Sequence, residues 1–66
     1  MDIGRQTKFE ELPDVLVPNE CAAYLGLDVR TVRAYIRDGR LRAARCGKNY
    51  RIRRQWLVDF LTRASR

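Results

Sequence analysis

The 66-residue sequence contains no histidine, only two cysteines, and only two lysines among its fourteen basic residues. Each shortage excludes something. Without histidine a Cys/His zinc site is ruled out, and two cysteines alone make a poor metal cage. Nor do two cysteines make a disulfide scaffold, although Cys21 and Cys46 are enough for one bridge. Both read as small core-lining thiols, which fits a reducing, intracellular compartment. No apolar run approaches the roughly 20 residues that span a bilayer. No apolar stretch near the start resembles a secretory signal. The expected setting is therefore cytoplasmic, with no membrane contact.

Catalysis is poorly served as well. A nucleophilic Ser or Cys would need a nearby base, and the usual one is missing. No glycine-rich phosphate loop occurs. The acidic pair Glu10-Glu11 lies in a segment where nothing in the sequence fixes its geometry. The chain reads as a non-enzyme without cofactor or metal. At this length it is one domain with a small core, burying only about 60% of its unfolded surface.

What the chain does have is arginine. Residues 1–17 hold two basic and four acidic side chains, a net of −2, whereas residues 18–66 hold twelve and four, a net of +8. Guanidinium forks bind phosphates bidentately and read guanine edges, while lysine is a point charge. A basic, arginine-rich domain points to a polyanion, most often nucleic acid.

Residues 1–14 show no apolar period and read as a flexible arm, with any order expected near Leu12, followed by a domain over residues 15–63 and a tail over 64–66. Pro18 suits a first helical position, and Glu20 suits the positive end of the helix dipole. A helix is predicted over residues 18–25, with Cys21, Ala22 and Leu25 facing inward. Gly26 stops it, and Asp28 caps the next. That second helix is predicted over 29–38. Val32, Tyr35 and Ile36 share one face by the i, i+3, i+4 rule, and Arg30, Arg33 and Arg37 share another. From Leu41 the period changes. Residues 41–46 and 50–53 flank Gly47-Lys48-Asn49 and read as a β-hairpin, with Leu41, Ala43 and Ile52 inward. A last helix, 54–63, carries Trp56, Leu57, Phe60 and Leu61 on one stripe.

Two short helices joined by a glycine-containing turn make a helix-turn-helix, whose second member can enter a major groove. Arg30, Arg33 and Arg37 are candidates for base edges and phosphates, and Thr31 suits a phosphate or a thymine methyl. The hairpin adds Arg45, Lys48, Asn49, Arg51 and Arg53. Lys48 and Asn49 at its tip suit a minor groove or a phosphate, though Asn49 equally suits a plain turn.

The stretch "ECAAYLGLDVRTVRAYIRDGRLRAARCGKNYRIRRQWLVDFL" resembles the excisionase-type, MerR-like winged helix family. Glu20, Ala22, Leu25, Gly26, Asp28, Arg30, Val32, Ile36, Gly39, Leu41 and the run Tyr50 to Arg54 carry the resemblance. It implies a mainly α fold with a small β-hairpin, ordered helix-turn-helix-wing-helix. Three positions depart from the family pattern. Val17 stands where a Ser or Thr usually completes a capping box, so the first helix is expected to fray. Arg33 stands where an aromatic is common and Ala34, also counted with the DNA-binding residues, where a basic residue is common. Arg33 thus replaces the usual cation one position away and is a weaker candidate for a base contact than Arg30.

The resemblance implies either the DNA-binding domain of a larger regulator or a stand-alone excisionase, which binds double-stranded DNA beside an attachment site and bends it. Such a protein helps an integrase excise a mobile element or prophage. The start at Met1 and the lack of an effector domain favour this stand-alone kind. The integrase and cooperative copies of the chain on DNA are the implied partners, with the tail a contact for either. The alternatives are a small transcription regulator of the same fold, or a basic module that meets an acidic protein.

Overall fold

The computed structural model describes residues 3–64; Ser65 and Arg66 of the expected tail lie outside the described residues. The described chain comprises a short strand β1 (Val15–Leu16), helix α1 (Pro18–Leu25), helix α2 (Val29–Arg37), a hairpin of β2 (Ala44–Cys46) and β3 (Asn49–Arg53), and helix α3 (Arg54–Ala64). A single 3-10 turn, Phe9–Glu11, precedes them. This is the order of a winged helix-turn-helix, with one strand more than the sequence suggested.

Local chemistry sets the helix ends. Pro18 occupies the first turn of α1, and the Glu20 carboxylate accepts from the Val17 N–H at 3.0 Å. Val17 has no side-chain oxygen for the reciprocal bond, so half of a capping box closes. The N–H groups of Glu20 and Cys21 return to the Val17 carbonyl, which closes the first turn despite the valine. Gly26 ends α1 in the left-handed region, φ 72°. There Leu27 N–H returns to the Ala22 carbonyl at 2.9 Å. Asp28 then caps α2 by accepting from Arg30 N–H at 2.8 Å. The whole connection takes three residues, which holds α1 and α2 against each other.

The strands form a sheet ordered β1-β3-β2, all antiparallel. Val15 pairs with Arg53 and Leu16 with Ile52. On the other side Ala44, Arg45 and Cys46 pair with Arg51, Tyr50 and Asn49. The hairpin turn is therefore Gly47-Lys48 alone, and Asn49 is the first residue of β3. Gly47 supplies the positive φ, 64°, which a two-residue hairpin loop requires.

The helices and strands β1 and β3 share one core. Leu12, Leu16, Cys21, Ala22, Val32, Leu41, Ile52 and Leu57 are buried, and among the described residues no polar or charged side chain joins them. Tyr35, Ile36, Trp56 and Phe60 pack around this centre while keeping one edge in solvent.

One expectation needs correction. Cys46 does not line the core: it is exposed on β2, whereas Cys21 is buried, and both are free thiols. All three residues of the edge strand β2 are exposed, so the strand turns no side chain into the core. The chain near Leu12 packs on the domain. Leu12 is only 3% exposed, and Arg54 holds the chain on either side of it. The Arg54 guanidinium pairs with Asp14 at 3.2 Å, donates to the Leu12 carbonyl at 3.1 Å and lies over the Phe9 ring at 5.1 Å. The Arg54 N–H also donates to the Asp14 carbonyl.

Three outcomes are expected. Leu12→Ala lowers stability by roughly 2–3 kcal/mol, as for other buried leucines, in a denaturant titration; an unpacked arm would give no change. Gly26→Ala costs about 1 kcal/mol through the left-handed φ, which for a domain this small lowers Tm by roughly 4–8 °C. A thiol reagent modifies Cys46 quickly in the native protein and Cys21 only after unfolding. Burial, reinforced by the Glu20 carboxylate, pushes the Cys21 thiol up to about 12, which leaves little thiolate to react.

Candidate nucleic-acid interface

Helix α2 carries two chemistries on nine residues. Val32 is fully buried, and Val29, Tyr35 and Ile36 pack against the same centre. Arg30, Arg33 and Arg37 are all exposed. None of the three forms an ion pair among the described residues, where the single pair is Arg54 with Asp14. Thr31 and Ala34 are half-buried on the flank between the two faces. At 100° per residue, Arg37 projects within about 20° of Arg30, while Arg33 diverges from Arg30 by about 60° toward the Val29 and Ile36 edge. The three arginines thus share a face about 60° wide, with Arg33 at the edge nearest Val29 and Ile36.

The hairpin places its cations unequally. Arg45 is exposed, and its Nε–H donates to the Gly47 carbonyl at 3.2 Å, so the side chain folds over the turn. Lys48 and Asn49 are exposed at the tip. Arg51 is half-buried and donates from Nη1 to the Tyr50 carbonyl at 3.1 Å, which limits its freedom. Arg53 is exposed but lies apart. Paired with Val15 at the far end of β3, it lines a hollow with Phe9, Asp14, Arg54, Gln55 and Trp56.

A cleft of about 300 Å³ opens between α2, the hairpin and the start of α1. Arg33, Lys48, Asn49 and Arg51 line it, together with Tyr50 and residues 17–19. Its walls carry three cations and no carboxylate. Asn19 is the residue that sequence reasoning missed here: it reads as an ordinary first-turn residue, and only the tertiary fold sets it beside Arg33 and Lys48.

Other arginines point elsewhere. Arg42 lies 4.8 Å over the Trp56 ring and Arg40 5.7 Å over Tyr35. Arg63 donates to the Arg40 carbonyl at 3.2 Å. These side chains cover the aromatic edge of α3, and none of them lines the cleft beside α2. What the α2 and hairpin side offers chemically is therefore a rigid set of guanidinium, ammonium and amide donors with no acceptor carboxylate in the cleft, suited to a polyanion.

The sequence profile of the helix-turn-helix domain family matches residues 15–65. Neither curated proteins nor solved structures gave a significant match. A helix-turn-helix domain suggests DNA binding, and among the described residues no helix is long and apolar enough to cross a membrane. The profile takes in every element from β1 to α3, two thirds of the chain and more, and the protein belongs to the helix-turn-helix domain family.

Proposed function

We propose that this domain binds double-stranded DNA sequence-specifically, with α2 in the major groove and the β2–β3 wing in the adjacent minor groove. The observation that carries this reading is the exposed, unpaired state of Arg30, Arg33 and Arg37 on a helix anchored by fully buried Val32. A polyanion can engage those groups without first breaking an internal ion pair. A major groove about 12 Å wide admits one helix, and nine residues at 1.5 Å each give α2 a length of roughly 14 Å. In this reading Arg30 reads a base edge near the start of α2, Thr31 and Ala34 lie close to the groove floor, and Arg37 meets a phosphate. Lys48 and Asn49 lead the wing, with Arg45, Arg51 and Arg53 behind them.

The biological role we assign is that of an excisionase. The support is the likeness of residues 20–61 to the excisionase-type pattern, together with a site that offers donors rather than reactive groups. One reading helix covers a short sequence, so useful specificity requires repeated sites, neighbouring copies or a protein partner. An excisionase meets that need by binding beside an attachment site, bending the DNA and engaging an integrase. Footprinting on the host DNA tests the role: protection near an attachment site supports excision, whereas protection confined to a promoter supports a transcription regulator.

Binding is expected to fall steeply with salt, by about 0.9 in log–log slope for each phosphate neutralised. Fluorescence anisotropy with labelled duplexes measures this. Arg37→Ala weakens all duplexes alike, and Arg30→Ala also narrows the gap between selected and random sequences by about 1–3 kcal/mol. Wild-type behaviour from both variants would remove α2 from the groove.

A further inference from the structure

We infer that the cleft between α2, the wing and the start of α1 is a seat for a single backbone phosphate, and that Arg33 is a positioning residue for the duplex rather than a reader of bases. The inference rests on the reading that duplex DNA is the partner, and adds what this part of the surface does to it.

The argument begins with the shape of a duplex. A major groove and the minor groove beside it are separated by one sugar-phosphate strand. A protein with α2 in the first and a wing in the second must straddle that strand. Whatever lies between α2 and the wing therefore faces phosphodiesters, not base edges. In this structure the space between them is the cleft of about 300 Å³ lined by Arg33, Lys48, Asn49, Arg51 and Asn19.

The lining suits that occupant. It brings three positive charges from two separate elements and no negative one. Arg33 and Arg51 offer planar forks that match phosphate oxygens, Lys48 a mobile point charge, and the two asparagines neutral amide donors. Arg51 is partly fixed beforehand by its bond to the Tyr50 carbonyl, so it loses less freedom when an anion arrives. The angular position of Arg33 agrees: it diverges by about 60° from Arg30 around α2, and it lines the cleft that the wing closes. The hollows near Trp56 include Asp59 or Asp14 in their walls, which oppose an anion, and the one beside Tyr35 and Phe60 has two arginines but aromatic walls and no amide donor side chain.

Phosphate contacts fix register without carrying sequence information. Arg33 and Lys48 thus hold the duplex at one set distance from α2, and base preference is left to Arg30 and its neighbours.

The test uses Arg33→Gln, Lys48→Gln and the double variant, all at exposed positions, with thermal melts to confirm the fold. A labelled random-sequence 20-base-pair duplex is titrated at several salt concentrations. The double variant is expected to flatten the log–log slope by up to about 0.9, the share of one phosphate, since Arg51 alone holds that phosphate less closely. A flattening near 1.8 means two separate phosphates and overturns the single seat; no flattening overturns the cleft altogether. Arg33→Gln is expected to preserve the preference between selected and random duplexes, and a narrowed preference would make Arg33 a base reader. Pyrophosphate titrated into the free ¹⁵N-labelled protein separates this proposal from the DNA reading. If no duplex binds, pyrophosphate shifts confined to the Asn19, Arg33, Lys48 and Arg51 amides keep the anion seat and sink the DNA reading. If duplexes bind but the double variant keeps the wild-type slope, the seat fails and the DNA reading stands.

Discussion

The constraint that governs this molecule is the scarcity of apolar side chains to bury. With 66 residues there is material for one core only, and helices of eight or nine residues are marginal by themselves in water. Every element except the exposed edge strand β2 therefore contributes a side chain to the same centre: Leu16 from β1, Cys21 and Ala22 from α1, Val32 from α2, Ile52 from β3 and Leu57 from α3. The orientation of α2 follows directly. Once Val32 is fully enclosed, the helix cannot turn about its axis without exposing it, so the directions of Arg30, Arg33 and Arg37 are set by a valine on the opposite side.

The same scarcity explains how the arginines divide. A core without polar groups among the described residues leaves the guanidinium groups at the surface, where some cover an apolar edge, some bond a nearby carbonyl and others form no ion pair. Arg40, Arg42 and Arg54 lie over Tyr35, Trp56 and Phe9, which shields aromatic area that a larger protein would bury. Those on α2 and the wing tip cover no ring. The chain thus uses one residue type for two purposes, and the position of the aromatics decides which purpose each arginine serves.

That division marks what the sequence could and could not reveal. The helix ends were legible because Pro18, Gly26 and Asp28 act on their own neighbours, and the stripe containing Val32 was legible because its period is local. Strand β1 was not, since two residues show no alternation. Order near Leu12 could be expected, but not what secures it, because Arg54 lies 42 positions away along the chain. Cys46 was misplaced because nothing local shows that all three residues of its edge strand stay exposed. Among the site residues, Arg33 and Arg53 could be counted as cations from the sequence, but their separation into different hollows depends on how β3 meets α1 and α3.

The acidic N-terminal segment bears on the charge of the α2 side as well as on stability. It carries a net −2, enough to blunt a basic surface if it lay across one. Two of its carboxylates are engaged locally instead: Glu11 accepts from the Lys8 N–H at 2.9 Å, and Asp14 pairs with Arg54 at the start of α3. At 87% exposed, the Asp14 side chain adds little stability through that pair. Its effect is one of location, since a carboxylate tied at the start of α3 is not available to Arg30, Arg33 or Arg37. The packing of Leu12 that completes the core also fixes where the acids sit. A positive field can then extend from α2 and the wing, and a field of that kind speeds encounter with a polyanion before any specific contact forms.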